Sequence, residues 1–327
     1  MQRRDLWFGL MAAMAAAGCG GATKAATPGN RGGGEAVDLA TLADAARPVI
    51  VAHGQPYLYL EFVEPWGADG EPTAVIPSCW SDGSEEACPA TVPAPADVVA
   101  RLPTPPATLT VVTPTGLCQA TVGPVELVDT HGCEPSGTYA ARLTGCGTAV
   151  APIGFAATDV PTLAWRPVTS VAPTPLPASA AALTDPLLRE LATTWLAMPG
   201  MNHGQRHDAT STVVEVDAGR ERFSTLMVTV LQGDSADQCD WEVAGQHAVG
   251  LRRGDQLIPV EVPDIWDGVL THDGRVVAVV TDAPFRVVAQ TVDDAGKLGP
   301  LLDVHVWSDN EECTQQSWSG IEYPCGL

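Results

Sequence analysis

Short runs of β-branched, aliphatic and aromatic residues, broken by turn formers, fill two long stretches of this chain. In the first, residues 49–51, 57–63, 108–113, 119–128, 138–143 and 150–156 read as strands. Thr113-Pro114-Thr115-Gly116, His131-Gly132 and Pro135-Ser136-Gly137 supply turns between them. Strands this short, at this spacing, predict an antiparallel sandwich or barrel. In the second stretch, 212–217 and 222–231 flank Ala218-Gly219, and 269–271 and 275–281 flank Asp273-Gly274. Asp-Gly is the strongest hairpin signal here, because glycine tolerates the positive φ of a two-residue turn. Asp294-Ala295-Gly296 then separates 285–292 from 298–307. The second stretch therefore predicts a meander of hairpins. Its run 267–301 has the size of one propeller blade, but the chain after residue 205 is too short for four.

A helical period appears in one place. Leu187, Leu188, Leu191, Trp195 and Leu196 share a face. Asp185 can cap the free N–H groups, Pro186 occupies the first helical position, and Pro199-Gly200 ends the pattern. The bland expectation is a helix packed over a sheet edge. A second, shorter helix is expected within 37–46. The fold class that follows is mainly β: two small disulfide-stabilised antiparallel β domains, sandwich- or barrel-like, with one connecting helix. The expected boundaries are a signal peptide at 1–18, a lipidated tether at 19–46 and a first β domain at 47–168. A Pro/Ala linker plus helix at 169–200 and a second β domain at 201–327 complete the chain. Two echoes, Trp80-Ser81-Asp82 with Trp307-Ser308-Asp309 and Cys118-Gln119 with Cys239-Asp240, fit either a duplication or chance.

The start of the chain is of a different kind. Arg3 and Arg4 precede an uncharged apolar run, 6–17, that is too short to cross a bilayer as a helix. Small residues Ala16-Ala17-Gly18 lead to Cys19, the layout of a cleavable secretory signal. Ala16-Ala17-Gly18-Cys19 resembles the lipobox of bacterial lipoproteins, departing from it at Ala16, where that family usually carries Leu. The resemblance covers residues 1–19 only. It implies acylation of the Cys19 thiol, cleavage just before it, and acylation of the new amine. Each buried CH₂ contributes about 0.8 kcal/mol, so several chains make a firm anchor without a transmembrane helix. Gly20 lacks the Asp that marks inner-membrane retention in some of these lipoproteins, which favours the outer membrane. Arg3-Arg4 also fits a twin-arginine export signal. Residues 20–35 are mostly Gly, Ala, Thr and Pro with little to bury, as befits a flexible tether.

Anchoring changes how the other cysteines read. Setting Cys19 aside leaves Cys79, Cys88, Cys118, Cys133, Cys146, Cys239, Cys313 and Cys325, an even set that suits disulfides in an exported chain. No C-x₂-C pair is present to suggest zinc. Cys79–Cys88 is a plausible local bridge. Cys118 and Cys146 lie at opposite ends of a predicted hairpin and could face each other if their Cα atoms come within about 7 Å. Cys133 would then reach the second half, which holds an odd number of cysteines.

The formal charge of −22 repels nucleic acid and anionic lipid, and leaves cations or basic surfaces as partners. No G-x-S-x-G, H-E-x-x-H, S-x-x-K or P-loop motif occurs. His203 and His207 are four apart, a spacing that suits metal on a helix, but Gly204 argues for a solvated loop. Asp234, Asp237 and Asp240 crowd one loop, and Asp82, Glu85 and Glu86 another, so Ca²⁺ is possible although neither loop matches an EF-hand. Trp66, Trp80, Trp266, Trp307 and Trp318 sit beside Gly, Asp or Cys. They serve either as core or as a platform for sugars or peptides. The function expected is that of a lipid-anchored cell-envelope protein, structural or binding and non-catalytic, with no required cofactor, a protein or glycan partner and no nucleic acid. A secreted hydrolase without a motif, or a carbohydrate- or calcium-binding module, are the alternatives.

Overall fold

The computed structural model describes residues 37–63, 77, 89–129, 137–169, 171–172, 174–177, 179–197, 206–232, 242–261, 266–283 and 286–306. The first of these form a 3₁₀ helix, Leu39–Ala45, where a helix was expected. Asp38 caps it by accepting from the Ala40 N–H at 3.1 Å.

Strands β1 (Ala46–Ala52), β2 (Gln55–Val63), β3 (Thr91–Pro93), β4 (Thr108–Thr113), β5 (Gly116–Asp129), β6 (Gly137–Thr144) and β7 (Ile153–Phe155) make one antiparallel sheet. Its order is β3-β5-β4-β7-β1-β2-β6, and β5 also pairs with β6. The sheet therefore closes into a six-stranded barrel, with β3 added outside the ring along β5. Closure removes the open edges that a sheet would otherwise expose. The length of β5 makes it possible. Its first part pairs with β4 and its later part with β3 on that side, while β6 follows its other side from Thr121 to Asp129.

Alternation sorts the barrel residues into two sets. Val49, Leu58, Leu109, Val111, Ala120, Ala141 and Leu143 come from five of the six strands of the ring and meet inside it with Val150. Val98 and Leu102, from the short helix Ala96–Arg101 and the residue after it, close one end against Leu127 and Tyr139. The out-facing residues Ile50, Tyr57 and Ala140 pack instead on Val287 and Val306.

The remaining strands are β8 (Ala164–Pro167), β9 (Thr174–Pro175), β10 (Arg206–Asp217), β11 (Arg222–Gln232), β12 (Glu242–Arg253), β13 (Gln256–Pro259), β14 (Gly268–His272), β15 (Arg275–Ala283), β16 (Arg286–Val292) and β17 (Leu298–His305). They form two antiparallel five-stranded sheets, β13-β12-β11-β10-β9 and β17-β16-β15-β14-β8. The hairpins β10–β11, β14–β15 and β16–β17 were expected. Strands β12 and β13 were not, nor was the enlistment of β8 and β9 from the stretch between the two strand-rich regions.

Layering follows from which faces are apolar. The sheet containing β15 meets the barrel on one side through Trp165, Leu270, Ala278, Val280 and Ala289, which pack on Val112, Ile153 and Phe155. On its other side Val269, Val276 and Val279 pack on Phe223, Leu251 and Trp266 beneath the sheet containing β11. That second sheet carries the helix Pro186–Ala197 on its far face, where Leu188 and Ala192 meet Leu226 and Val228. Residues 276–280, Val-Val-Ala-Val-Val, lack a polar alternate because both faces of β15 are covered. Fully burying one such aliphatic side chain contributes about 1.5–3 kcal/mol. Residues from Val37 onward cluster as one compact unit. Gly268 lets β14 and β8 approach, since a Cβ there would strike the Arg166 carbonyl oxygen and the Trp165 ring.

Candidate functional site

A cluster of charged side chains lies where the helix Pro186–Ala197 begins over β10, β11 and β12. Asp185 Oδ1 accepts from the N–H groups of Leu187 (2.9 Å) and Leu188 (3.0 Å), so the expected cap is formed. Its Oδ2 accepts from Arg252 Nη1 at 2.7 Å. Arg252 is buried, and its Nε stands 3.3 Å from Glu215 Oε1. Glu215 also accepts from Arg222 Nη1 at 2.8 Å and from the Ser224 hydroxyl at 2.9 Å.

Strand register explains the gathering. Arg222 lies directly opposite Arg252 between β11 and β12, and Glu215 lies opposite Ser224 between β10 and β11. Two arginines facing each other repel, and the carboxylate on the neighbouring strand offsets that. Burial raises the Asp185 pKa, but the bonds from Arg252 and from the Leu188 and Leu187 amides outweigh it and hold the carboxyl below its ordinary value. The bond to Asp185 moves the Arg252 guanidinium the opposite way, further from neutrality. Arg252 Nε and Nη2 are both buried without a hydrogen-bond partner, the Nε contact to Glu215 being an ion pair only. Ser224 is fully buried with its hydroxyl committed to Glu215, so this Ser–carboxylate pair is closed to a substrate. The cluster pins the start of the helix to the sheet.

A second cluster joins the two five-stranded sheets. Glu221, in the β10–β11 turn, is buried; it accepts from the Val276 amide at 2.8 Å and from Arg253 Nε at 3.0 Å. Asp294 pairs with Arg275 at 2.9 Å and with Arg253 at 3.5 Å. The Arg220 amide donates to the Gly274 carbonyl at 2.7 Å, so the two hairpin turns grip each other.

At the barrel, Tyr139 is buried at the end closed by Val98 and Leu102, and its hydroxyl has no hydrogen-bond partner. Burial pushes its pKa up, against the nearby Arg101 and together with Glu61 and Asp97. Near the other end of the β5–β6 ladder, Cys118 and Cys146 form a disulfide with Cα atoms 5.8 Å apart, as the hairpin reading allowed.

Several expected site residues lie outside the described residues: Cys19, Cys79, Cys88, Cys133, Cys239, Cys313, Cys325, His203, Asp234, Asp237 and Asp240. The backbone of His207 belongs to β10, at the irregularity between Arg206 and Asp208, rather than to a loop. Trp266 is a core residue. It meets Phe223 edge-to-face at 4.6 Å, and its Nε1–H donates to Thr225 Oγ1 at 2.7 Å. Trp66, Trp80, Trp307 and Trp318 lie outside the described residues. Among the described residues, no group of three His, Cys, Asp or Glu side chains could hold a metal, and no helix is long and apolar enough to cross a membrane. Arg252, Glu215 and Glu221 were not singled out from sequence. The available signal was Glu215, a carboxylate on the same strand face as Val213.

No family model matches this chain, and neither does any curated protein or solved structure.

Proposed function

We propose that this is a lipid-anchored protein of the bacterial cell envelope, held by an acylated Cys19, which works through its surface as a structural or binding component and not by catalysis. The observation that carries the reading is the short apolar run ending in Ala16-Ala17-Gly18-Cys19. The Cys118–Cys146 bridge supports it, because disulfides form in oxidising compartments outside the cytosol. The filled barrel interior and the packed faces between layers support a surface role, since the large apolar side chains there are engaged with one another. A protein or glycan partner suits the acidic surface if it presents basic or neutral groups. Gly20 favours the outer membrane.

The test is Cys19→Ala with cell fractionation and labelling by a palmitate analogue. The parent should take up label and remain with membranes washed in high salt and carbonate, and the variant should do neither. A variant that stays as firmly bound as the parent would overturn the reading.

A further inference from the structure

The barrel seam between β5 and β6 ends in an unusual way. Its last ladder pair is Thr121 with Thr144. Beyond it β5 continues back to Gly116 while still paired with β4, but β6 has ended and the chain turns away through 145–152. Cys118–Cys146 bridges the two just past that point. Both cysteines are only partly buried, and residues 144, 145 and 147–149 are exposed. Cys146 sits between Gly145 (φ +97°) and Gly147 (φ +73°), where the backbone adopts conformations that suit glycine. Both sulfur-bearing residues pack on the cluster that fills the barrel, beside Val150, which is the last apolar residue of this loop to enter it. After Val150 the Ala151 amide rejoins the barrel at the Val112 carbonyl, 2.8 Å away.

We propose that Cys118–Cys146 is an exchangeable disulfide, open to a dithiol in the folded protein, whose reduction unlatches this end of the barrel seam. One thiolate of the dithiol attacks one sulfur of the pair and forms a mixed disulfide, releasing the other cysteine as a thiolate. The second thiol of the dithiol then displaces the first cysteine. The dithiol leaves as a disulfide, and its two electrons and two protons reside on Cys118 and Cys146 as thiols. The partner is thus a dithiol oxidoreductase of the compartment where the protein resides. Reduction frees the stretch 145–150 from its covalent tie to β5, and loosens residues 116–121, which keep β4 as their strand partner. The rest of the barrel keeps its ladders.

The experiment uses the full chain in detergent, in native buffer, with dithiothreitol as the dithiol. Alkylation followed by peptide mapping reads Cys118 and Cys146 separately from every other cysteine, and hydrogen exchange reads the backbone. The expected result is full alkylation of both cysteines at a rate proportional to dithiol and unchanged by low urea. Amide exchange should accelerate at least tenfold in 116–121 and 144–151, with 286–292 unchanged. A Cys118→Ser/Cys146→Ser variant, without reductant, should show the same local pattern. Reduction that proceeds only at urea concentrations that unfold the whole chain would overturn the proposal, as would reduction without local acceleration. If the double variant fails to fold, site-resolved reduction of the parent decides alone.

Discussion

Asp185 performs two tasks with one carboxylate, and each oxygen has its own. Oδ1 satisfies helix amides that have no partner within the helix, while Oδ2 neutralises an arginine on the sheet below. Removing the arginine alone leaves Asp185 without its cation, while Glu215 keeps Arg222. Arg252→Ala should therefore cost about 3 kcal/mol, read from urea unfolding. The pH dependence has a definite sign. The Asp185 carboxyl is held below its ordinary value in the folded state, so its stabilisation is present above the unfolded pKa of about 3.9 and is lost as pH falls through the folded value. Asp303 adds to the same limb, because its bond to Arg286 also lowers its pKa. Unfolding midpoints should accordingly drop as pH falls below about 4, and Asp185→Asn, which keeps the capping oxygen, should flatten that drop. An equal acid slope in variant and parent would contradict the assignment. The cap could be read from sequence because capping is local: Asp185, Pro186 and the apolar face are neighbours in the chain. Its arginine could not, because Arg252 lies sixty-seven residues away and reaches Asp185 only once β12 is in register with β11.

Hairpins form the next scale. His53-Gly54 and Asp273-Gly274 are two-residue turns in which both positions have positive φ, the backbone twist that matches paired strands. Gly274 also lies against the Ala218–Arg220 turn, where a Cβ would come within 3.1 Å of the Arg220 nitrogen. Gly274→Ala should cost roughly 1–2 kcal/mol, combining backbone strain with that contact. Gly250→Ala should cost more and lower the melting temperature further. Its Cβ would strike the Ile258 carbonyl across the β12–β13 pair, and a backbone atom cannot rotate away as a side chain can. Differential scanning calorimetry on both variants orders the two costs. The Asp273-Gly274 hairpin was visible in the sequence because its turn and flanking strands are adjacent and Asp-Gly marks the turn; the β12–β13 hairpin was not. The pairing of β8 with β14 was not visible, since Ala164 lies in the stretch between the strand-rich regions, 107 residues from Thr271, and nothing local links them.

For the whole molecule, the governing fact is that the sheet containing β15 is covered on both faces. The barrel wall supplies one cover and the sheet containing β11 the other. Layers that share buried apolar area unfold together, so calorimetry should show one transition whose van't Hoff and calorimetric enthalpies agree. A fragment of residues 37–169 would leave Ile50, Tyr57, Val112 and Phe155 without the residues that cover them. It should associate or bind a hydrophobic dye, whereas the full chain should not. A soluble monomeric fragment with two separate transitions in the parent would show instead that the layers are independent.

What the amino-acid sequence determined by itself was everything carried by neighbouring residues. That includes the strand-rich character, most strands and turns, the capped helix and the possibility of the Cys118–Cys146 bridge. These follow from φ preferences, capping and short-range patterning, which act over a few residues. Tertiary structure alone decided that the first sheet closes on itself through β5 and β6, and that β8 and β9 join sheets formed mainly by later strands. It also decided that Trp266 fills a core, that Glu221 becomes a buried partner of an arginine, and that Glu215, half-buried, pairs with two. Those outcomes depend on which apolar face covers which. That is settled by burial summed over the folded chain, a non-directional term that no local pattern encodes.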